Sequence, residues 1–327
     1  MTLAPDTLGP TVSIGEILAE IVGTTVGDGL GETQPLSGPY PSGAPAIFVA
    51  QCGRIGGSAA MIGTVGDDAF GRLNIDRLQS NGVDVSAVRI HPDLPTGTAF
   101  VRYQNDGSRD FIFNMWSSAA GDASWTPEVA ALVARAGHLH VMGTLLAQEN
   151  MWQLTQRAAK QIKARGGTVS LDPNLRKELT TNATTRARLR EMVALTDVLL
   201  PSGDELFLAA DITPDAAQTA ALDALFARGI SEVVLKQGAA GSICFAADGT
   251  TNHAPGLTVT EIDPTGAGDC FGGAYVACRR LGMPIKQALI YANAAGARNV
   301  TMRGPMEGAG TREELDNLIN ETKARTT

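Results

Sequence analysis

The sequence predicts an α/β fold: a mostly parallel sheet covered by helices on both faces. Three observations carry this expectation. After residue 114, short apolar runs at 138–142, 168–171, 197–200, 232–235 and 241–245 alternate with helical segments such as 152–165 and 216–228. Strands without a polar face belong in parallel sheets buried from both sides. A chain of 327 residues is long enough for one large core with a small appendage. Its 44% hydrophobic and 18% charged residues are an ordinary globular composition.

Taken in order, residues 11–20 read as a buried first strand that ends near Gly15 and Glu16 and then continues apolar. Between 23 and 44, nine glycines and prolines interrupt any period, so this stretch is a loop or part of a small peripheral sheet. A helical pattern runs over 44–54, with Pro45 suited to its first turn. A strand over 59–65 follows, then a turn at 66–71 and a helix to Ser80, with Asn81-Gly82 as its stop. Alternating segments 98–103 and 109–114 flank Gln104-Asn-Asp-Gly-Ser, which is a hairpin signal.

Composition excludes several classes. A net charge of −8 without any basic run argues against a nucleic-acid surface. The apolar stretches are too short to span a bilayer, and residues 1–10 lack the pattern of a secretory signal. Cys52, Cys244, Cys270 and Cys278 fall singly, which fits a reduced, cytoplasmic compartment and no thiolate zinc site. His91, His138, His140 and His253 lack metal-ligand spacing and read as structural. A dinucleotide-binding dehydrogenase would need G-x-G-x-x-G after the first strand, and residues 15–20 do not supply it.

Chemistry concentrates in Asp263-Pro-Thr-Gly-Ala-Gly-Asp-Cys-Phe-Gly-Gly273. Gly266 and Gly268 bracket Ala267, and a helical pattern follows at Ala274, Ala277, Cys278 and Leu281. The glycine loop therefore opens a helix, where backbone donors and the helix dipole favour an anion. Asp269 would compete with that anion unless it has chemical work there. A phosphate-holding loop with a base set into it suggests proton abstraction from a hydroxyl beside a phosphoryl donor.

This stretch resembles the Asp-Thr-x-Gly-Ala-Gly-Asp motif of the PfkB (ribokinase-like) carbohydrate kinases, matching at Asp263, Thr265, Gly266, Ala267, Gly268 and Asp269. The resemblance runs from Gly15 to about Gly308 and is nearest to bacterial tagatose and fructose kinases, through 40–45, 263–270 and 304–308. It implies a three-layer α/β/α body over 1–22, 45–96 and 115–327, with a discontinuous β lid over 23–44 and 97–114. It further implies ATP and Mg2+, a small-molecule sugar, a homodimer through the lid, and a K+ site at Asp263 and Thr265. Asp269 would be the base and the amides of 266–268 the anion hole.

Other matches are partial. Glu20 stands where relatives carry a carboxylate for sugar hydroxyls, a role suited to an acceptor of two hydrogen bonds. The family's Gly-Gly-x-x-x-Asn becomes Ser42, Gly43 and Ile47, which removes one hydrogen bond to substrate. Met115 stands where kinases of 2-keto-3-deoxygluconate often carry an arginine; its loss would cost an acid substrate on the order of 1.5–3 kcal/mol. Arg176, in Asp172-Pro-Asn-Leu-Arg, would reach substrate or phosphoryl group, and Glu205, with Ser202 in place of an asparagine, would hold Mg2+ through water. Lys236, Gly238, Gly241 and Asn293 would border the nucleotide. The implied reaction is phosphorylation of a ketohexose, tagatose or fructose, at O6. Its alternatives are 2-keto-3-deoxygluconate as acceptor, or a non-catalytic sugar or nucleotide sensor.

Overall fold

Apolar runs that can face water on neither side come together, strand beside strand, in the middle of the molecule. The computed structural model describes residues 3–106, 108–174 and 182–326, with side chains as far as 322. In chain order the strands are β1 (Thr11–Ile14), β2 (Leu18–Gly23), β3 (Leu36–Ser42), β4 (Ala59–Gly66), β5 (Val83–His91), β6 (Gly97–Tyr103) and β7 (Arg109–Asn114). They continue as β8 (His138–Met142), β9 (Thr168–Asp172), β10 (Val198–Leu199), β11 (Glu232–Lys236), β12 (Gly241–Ala246) and β13 (Thr251–Pro255). Nine of them, among the described residues, form the main sheet in the order β13-β12-β11-β10-β9-β8-β1-β4-β5. Pairing is parallel from β11 to β5 and antiparallel at the β11–β12–β13 edge.

Each face of the sheet carries its own apolar core. One holds helices Ala44–Arg54, Ala267–Arg280 and Ile285–Val300; the other holds Pro127–Arg135, Glu149–Ala164, Ala183–Val193 and Gln218–Ala227. This is the three-layer α/β/α body that the alternation of the sequence predicts. Two helices approach backbone to backbone: a β-carbon on Gly273 would lie 2.3 Å from the carbonyl oxygen of Phe48. Only glycine permits helices Ala44–Arg54 and Ala267–Arg280 to sit so close.

His138 and His140 lie fully buried on β8. His138 meets Thr168 Oγ1 and Ser170 Oγ, both at 2.8 Å, and His140 Nδ1 meets the same Ser170 hydroxyl at 2.7 Å. Phe48 stacks on the His140 ring at 3.5 Å. Burial holds both imidazoles well below their ordinary pKa, so they act as neutral hydrogen-bonding groups inside the core.

A second sheet, in the order β3-β2-β6-β7, covers one end of the first. Its β6–β7 hairpin is antiparallel, with Tyr103 opposite Arg109. The Gly/Pro-rich stretch supplies β3, and the loop before it is packed: buried Arg102 donates to Thr25 O at 3.1 Å and Gly29 O at 2.9 Å. One difference from the sequence reading concerns residues 18–22. Expected with 1–22 in the main body, they form β2 of the small sheet, which pairs parallel with β6 from Leu18↔Gly97 onward. The chain leaves β1 at Gly15, whose positive φ of 148° ends the strand and redirects it upward.

Candidate active site

Open α/β sheets present their ligand sites at the carboxyl ends of the strands. Here those ends deliver Glu16 after β1, Asp172 on β9, Ser202 and Glu205 after β10, and Lys236 on β11. Opposite them the small sheet contributes Leu18, Glu20, Ala99, Arg109, Phe111 and Phe113. Between the two lies a cleft of about 1070 Å³. Gly43, Ile47, Met115, Thr265, Gly266, Gly268 and Asp269 also border it. Ten residues singled out from sequence therefore meet in one place: Glu20, Gly43, Ile47, Met115, Glu205, Lys236, Thr265, Gly266, Gly268 and Asp269.

The glycine loop opens helix Ala267–Arg280, as its sequence requires, and Asp269 sits in the first turn. Gly266 adopts φ 82°, and a β-carbon there would lie 2.3 Å from Pro305 O, so both backbone and space demand glycine. Asn299 Nδ2 donates to Thr265 O at 2.7 Å and pins the loop from below. Gly43 plays the matching part at the start of helix Ala44–Arg54: its φ is 105° and a β-carbon would meet Glu16 O at 2.3 Å.

Electrostatics centre on Asp269. Burial pushes its pKa up to about 8, and the neighbouring Asp172 and Glu16 carboxylates add to the shift against Lys236 and Arg109. Asp269 as a residue is half-buried and borders the open cleft. Lys236 Nζ lies 2.5 Å from Asp172 Oδ2. Burial alone would lower the lysine, but Asp172, then Glu205, outweigh it and hold the ammonium above its ordinary value. The same Nζ stands 3.6 Å from where a β-carbon on residue 268 would be, at the mouth of the glycine loop.

Other expected residues lie elsewhere. Asn293 is buried on helix Ile285–Val300, where Nδ2 donates to Ala254 O at 2.9 Å and Pro255 O at 3.1 Å, and Oδ1 accepts from Ser242 Oγ at 3.0 Å. Its amide ties the helix to β12 and β13. Gly238 and Gly241 flank the short turn between β11 and β12, and Ala267 is the first residue of its helix. None of these four is in the described lining of the cleft. Arg176 lies outside the described residues. Asp263 sits 1% exposed beneath the loop. Its Oδ1 accepts from the Thr265 amide at 3.0 Å and from Tyr103 Oη, and its Oδ2 accepts from the Gly304 amide at 2.9 Å. As arranged, this carboxylate offers a cation one acceptor position rather than a cage.

Glu205 lines the cleft and accepts from the Ser202 amide at 2.8 Å. Among the described residues no three His, Cys, Asp or Glu side chains gather to hold a metal. A set of one or two carboxylates beside a lysine and an anion loop suits a magnesium ion that arrives with phosphates and keeps its water. Sequence reading overlooked Glu16 and Arg109. Alternation along β7 puts 109, 111 and 113 on one face, and that period was the available signal for Arg109.

A small-molecule kinase is the class this geometry defines: a half-buried carboxylate and an amide-lined helix end face a lidded cleft at the strand ends. The chain belongs to the PfkB family, whose description is "pfkB family carbohydrate kinase" and whose profile matches residues 11–312. It is thus a carbohydrate kinase. A fructokinase of Vibrio alginolyticus is 32% identical over 308 residues, spanning 92% of this chain and 98% of its own. A provisionally named ribokinase II from Escherichia coli, solved with ATP and Mg2+, is 40% identical with a TM-score of 0.88. That match covers 96% of this chain and 99% of the other. A Vibrio cholerae fructokinase, solved with fructose, ADP and calcium, is 27% identical with a TM-score of 0.78 and covers 95% and 99%.

Proposed function

We propose that this protein transfers the γ-phosphoryl group of ATP to O6 of a ketohexose, with fructose preferred and tagatose accepted. The observation that carries the reading is Asp269, set in the first turn of helix Ala267–Arg280 and facing a cleft whose sugar side is apolar at Ile47 and Met115. The wall at Ile47 and Met115 offers a carboxylate no hydrogen-bond donor there, so a neutral sugar is favoured over 2-keto-3-deoxygluconate. Fructokinase relatives agree with that preference.

In this mechanism Glu20 accepts hydrogen bonds from sugar hydroxyls, and the terminal hydroxyl is directed to Asp269. Asp269 takes its proton as the oxygen attacks phosphorus. The amides of 266–268 donate to the charge that develops on the transferred group. Lys236 and Arg109 add positive potential on either side. Bound ATP would supply the phosphoryl group, and Glu205 would hold Mg2+ through water to offset phosphate charge. Arg176 reaches the substrate or phosphoryl group from its own segment, and Gly238, Gly241 and Asn293 shape the strand-end region on the nucleotide side. The lid, residues 23–44 and 97–114 joined by 18–22, excludes water from the reaction. The cytoplasm is the proposed compartment. A homodimer through the lid accords with exposed Leu36 and Ile112 on that sheet.

The test is an ADP-release assay over fructose, tagatose, psicose, ribose and 2-keto-3-deoxygluconate, with Asp269→Asn alongside. Turnover of a neutral ketohexose by the wild type and not by the variant supports the proposal. Preference for the sugar acid overturns the substrate, and ATP binding without any turnover points to a sensor.

A further inference from the structure

The free end of the lid hairpin is joined to the catalytic loop by hydrogen bonds whose direction is fixed. β6 leaves the body at Gly97 and β7 returns to it at Asn114, so the chain itself tethers the hairpin at that end. Tyr103 and Arg109, opposite each other, form the other end. Arg109 can only donate, so Thr265 Oγ1, 3.2 Å from Arg109 Nη1, accepts. The threonine proton is then available to Tyr103 Oη at 3.1 Å, and the phenol donates to Asp263 Oδ1. From Arg109 through Thr265 and Tyr103 to Asp263 each bond polarises the next in the same sense. Thr265 immediately precedes the anion-binding amides, and Asp263 also takes the Thr265 and Gly304 amides. The turn below the catalytic helix thus has one of its donors supplied by the lid.

We propose that Tyr103 is a positioning residue for phosphoryl transfer: its hydroxyl latches the hairpin to the 263–265 turn, so the anion-binding amides are fully ordered only when the lid is down. The inference rests on the kinase reading above. A lid that closes without the latch would still cover the sugar. It would leave the amides misaligned and the site wetter, and ATP would be lost to water.

The test uses the full-length chain with Tyr103→Phe, Thr265→Val and the double variant. Losing one hydrogen bond to a charged group lowers kcat about tenfold, with the KM for ATP within about twofold. Sugar-independent ATP hydrolysis rises relative to sugar phosphorylation in Tyr103→Phe. The double variant is no worse than the poorer single one, because both break the same chain. Amide hydrogen exchange without ligands speeds up in the 97–103 and 109–114 strands, while 138–142 stays protected. Unchanged hairpin exchange in Tyr103→Phe, or single effects that multiply in the double variant, overturns the latch. If the wild type phosphorylates no sugar, the kinase reading fails, and hydrogen exchange still decides the latch by itself.

Discussion

Lys236 and Asp172 form an ion pair of 2.5 Å across the ends of β11 and β9, with both side chains largely buried. This pair sets the field at Asp269. Lys236 lowers the pKa of Asp269, whereas Asp172 raises it. Removing one partner of a buried pair costs more than the pair contributes, because the other charge is left alone. Lys236→Met is therefore expected to lose about 3–5 kcal/mol in denaturant unfolding. In surviving protein the alkaline shift of the activity profile grows, since Asp172 then faces Asp269 unopposed.

As the proposed base, Asp269 makes the activity depend on pH in a set direction. With its pKa near 8 in the unliganded protein, the carboxyl carries a proton at neutrality. Only the ionised form accepts one from the sugar. The ratio kcat/KM should rise about tenfold per pH unit up to about 8 and then level off. A flat profile between pH 6 and 8 would remove Asp269 from the role of base.

The same shift affects stability. A carboxyl whose folded pKa exceeds its unfolded one stabilises below the unfolded value and loses that contribution as pH rises through the folded value. Here the loss spans the window from 3.8 to about 8. Asp269→Asn should abolish catalysis by about 10²–10⁴. It should also be more stable than wild type at pH 8, by at least about 1 kcal/mol in unfolding midpoints.

Gly266→Ala forces a side chain into φ 82° and against Pro305 O. The loop must move, at a cost of about 1–3 kcal/mol. With its amides as the proposed anion hole, kcat should fall by about 10²–10³ while the KM for sugar changes little. Kinetics on a purified, folded variant check this.

Asn293 separates two roles that sequence alone leaves together. Its three hydrogen bonds to Ser242, Ala254 and Pro255 predict a loss of about 1–3 kcal/mol in Asn293→Ala, from the polar groups left unpaired. The KM for ATP should move less than about threefold. A large change in KM with unaltered stability would return the residue to the nucleotide site.

Acid should unfold the protein through the histidine ladder. Both imidazoles have folded pKa values held well below the ordinary 6.5 by burial. Above 6.5 neither state is protonated and nothing is lost; below it the unfolded chain gains protons the native core refuses. Stability should fall by about 1.4 kcal/mol per pH unit for each histidine below 6.5. Unfolding midpoints at pH 7, 6 and 5 measure the slope, and His138→Gln should reduce it.

How far the sequence could be read follows from where each signal resides. The glycine loop and Asp269 were legible because their chemistry is local, set within seven residues that open a helix. The buried strands were legible from apolar runs, and the β6–β7 hairpin from alternation about an Asp-Gly turn. Edge strands β5 and β13 gave little warning, since half their residues meet water and break the apolar run. β2 was hidden because its parallel partner β6 lies some eighty residues away. The Asp172–Lys236 pair depends on strands two places apart in the sheet, and no spacing along the chain encodes it.

The contact between Gly273 and Phe48 bears on how substrate preference can change over evolutionary time. The helix bearing Asp269 and the helix bearing Ile47 touch through their backbones, so they move as one body. A bulkier side chain at Ile47 would push the base as well as the sugar. Phe113 on β7 and Met115 just after it pack instead on a small separate cluster with Leu18 and Ala99. Substitutions at Phe113 and Met115 are therefore the ones that can reshape that wall of the cleft without displacing Asp269.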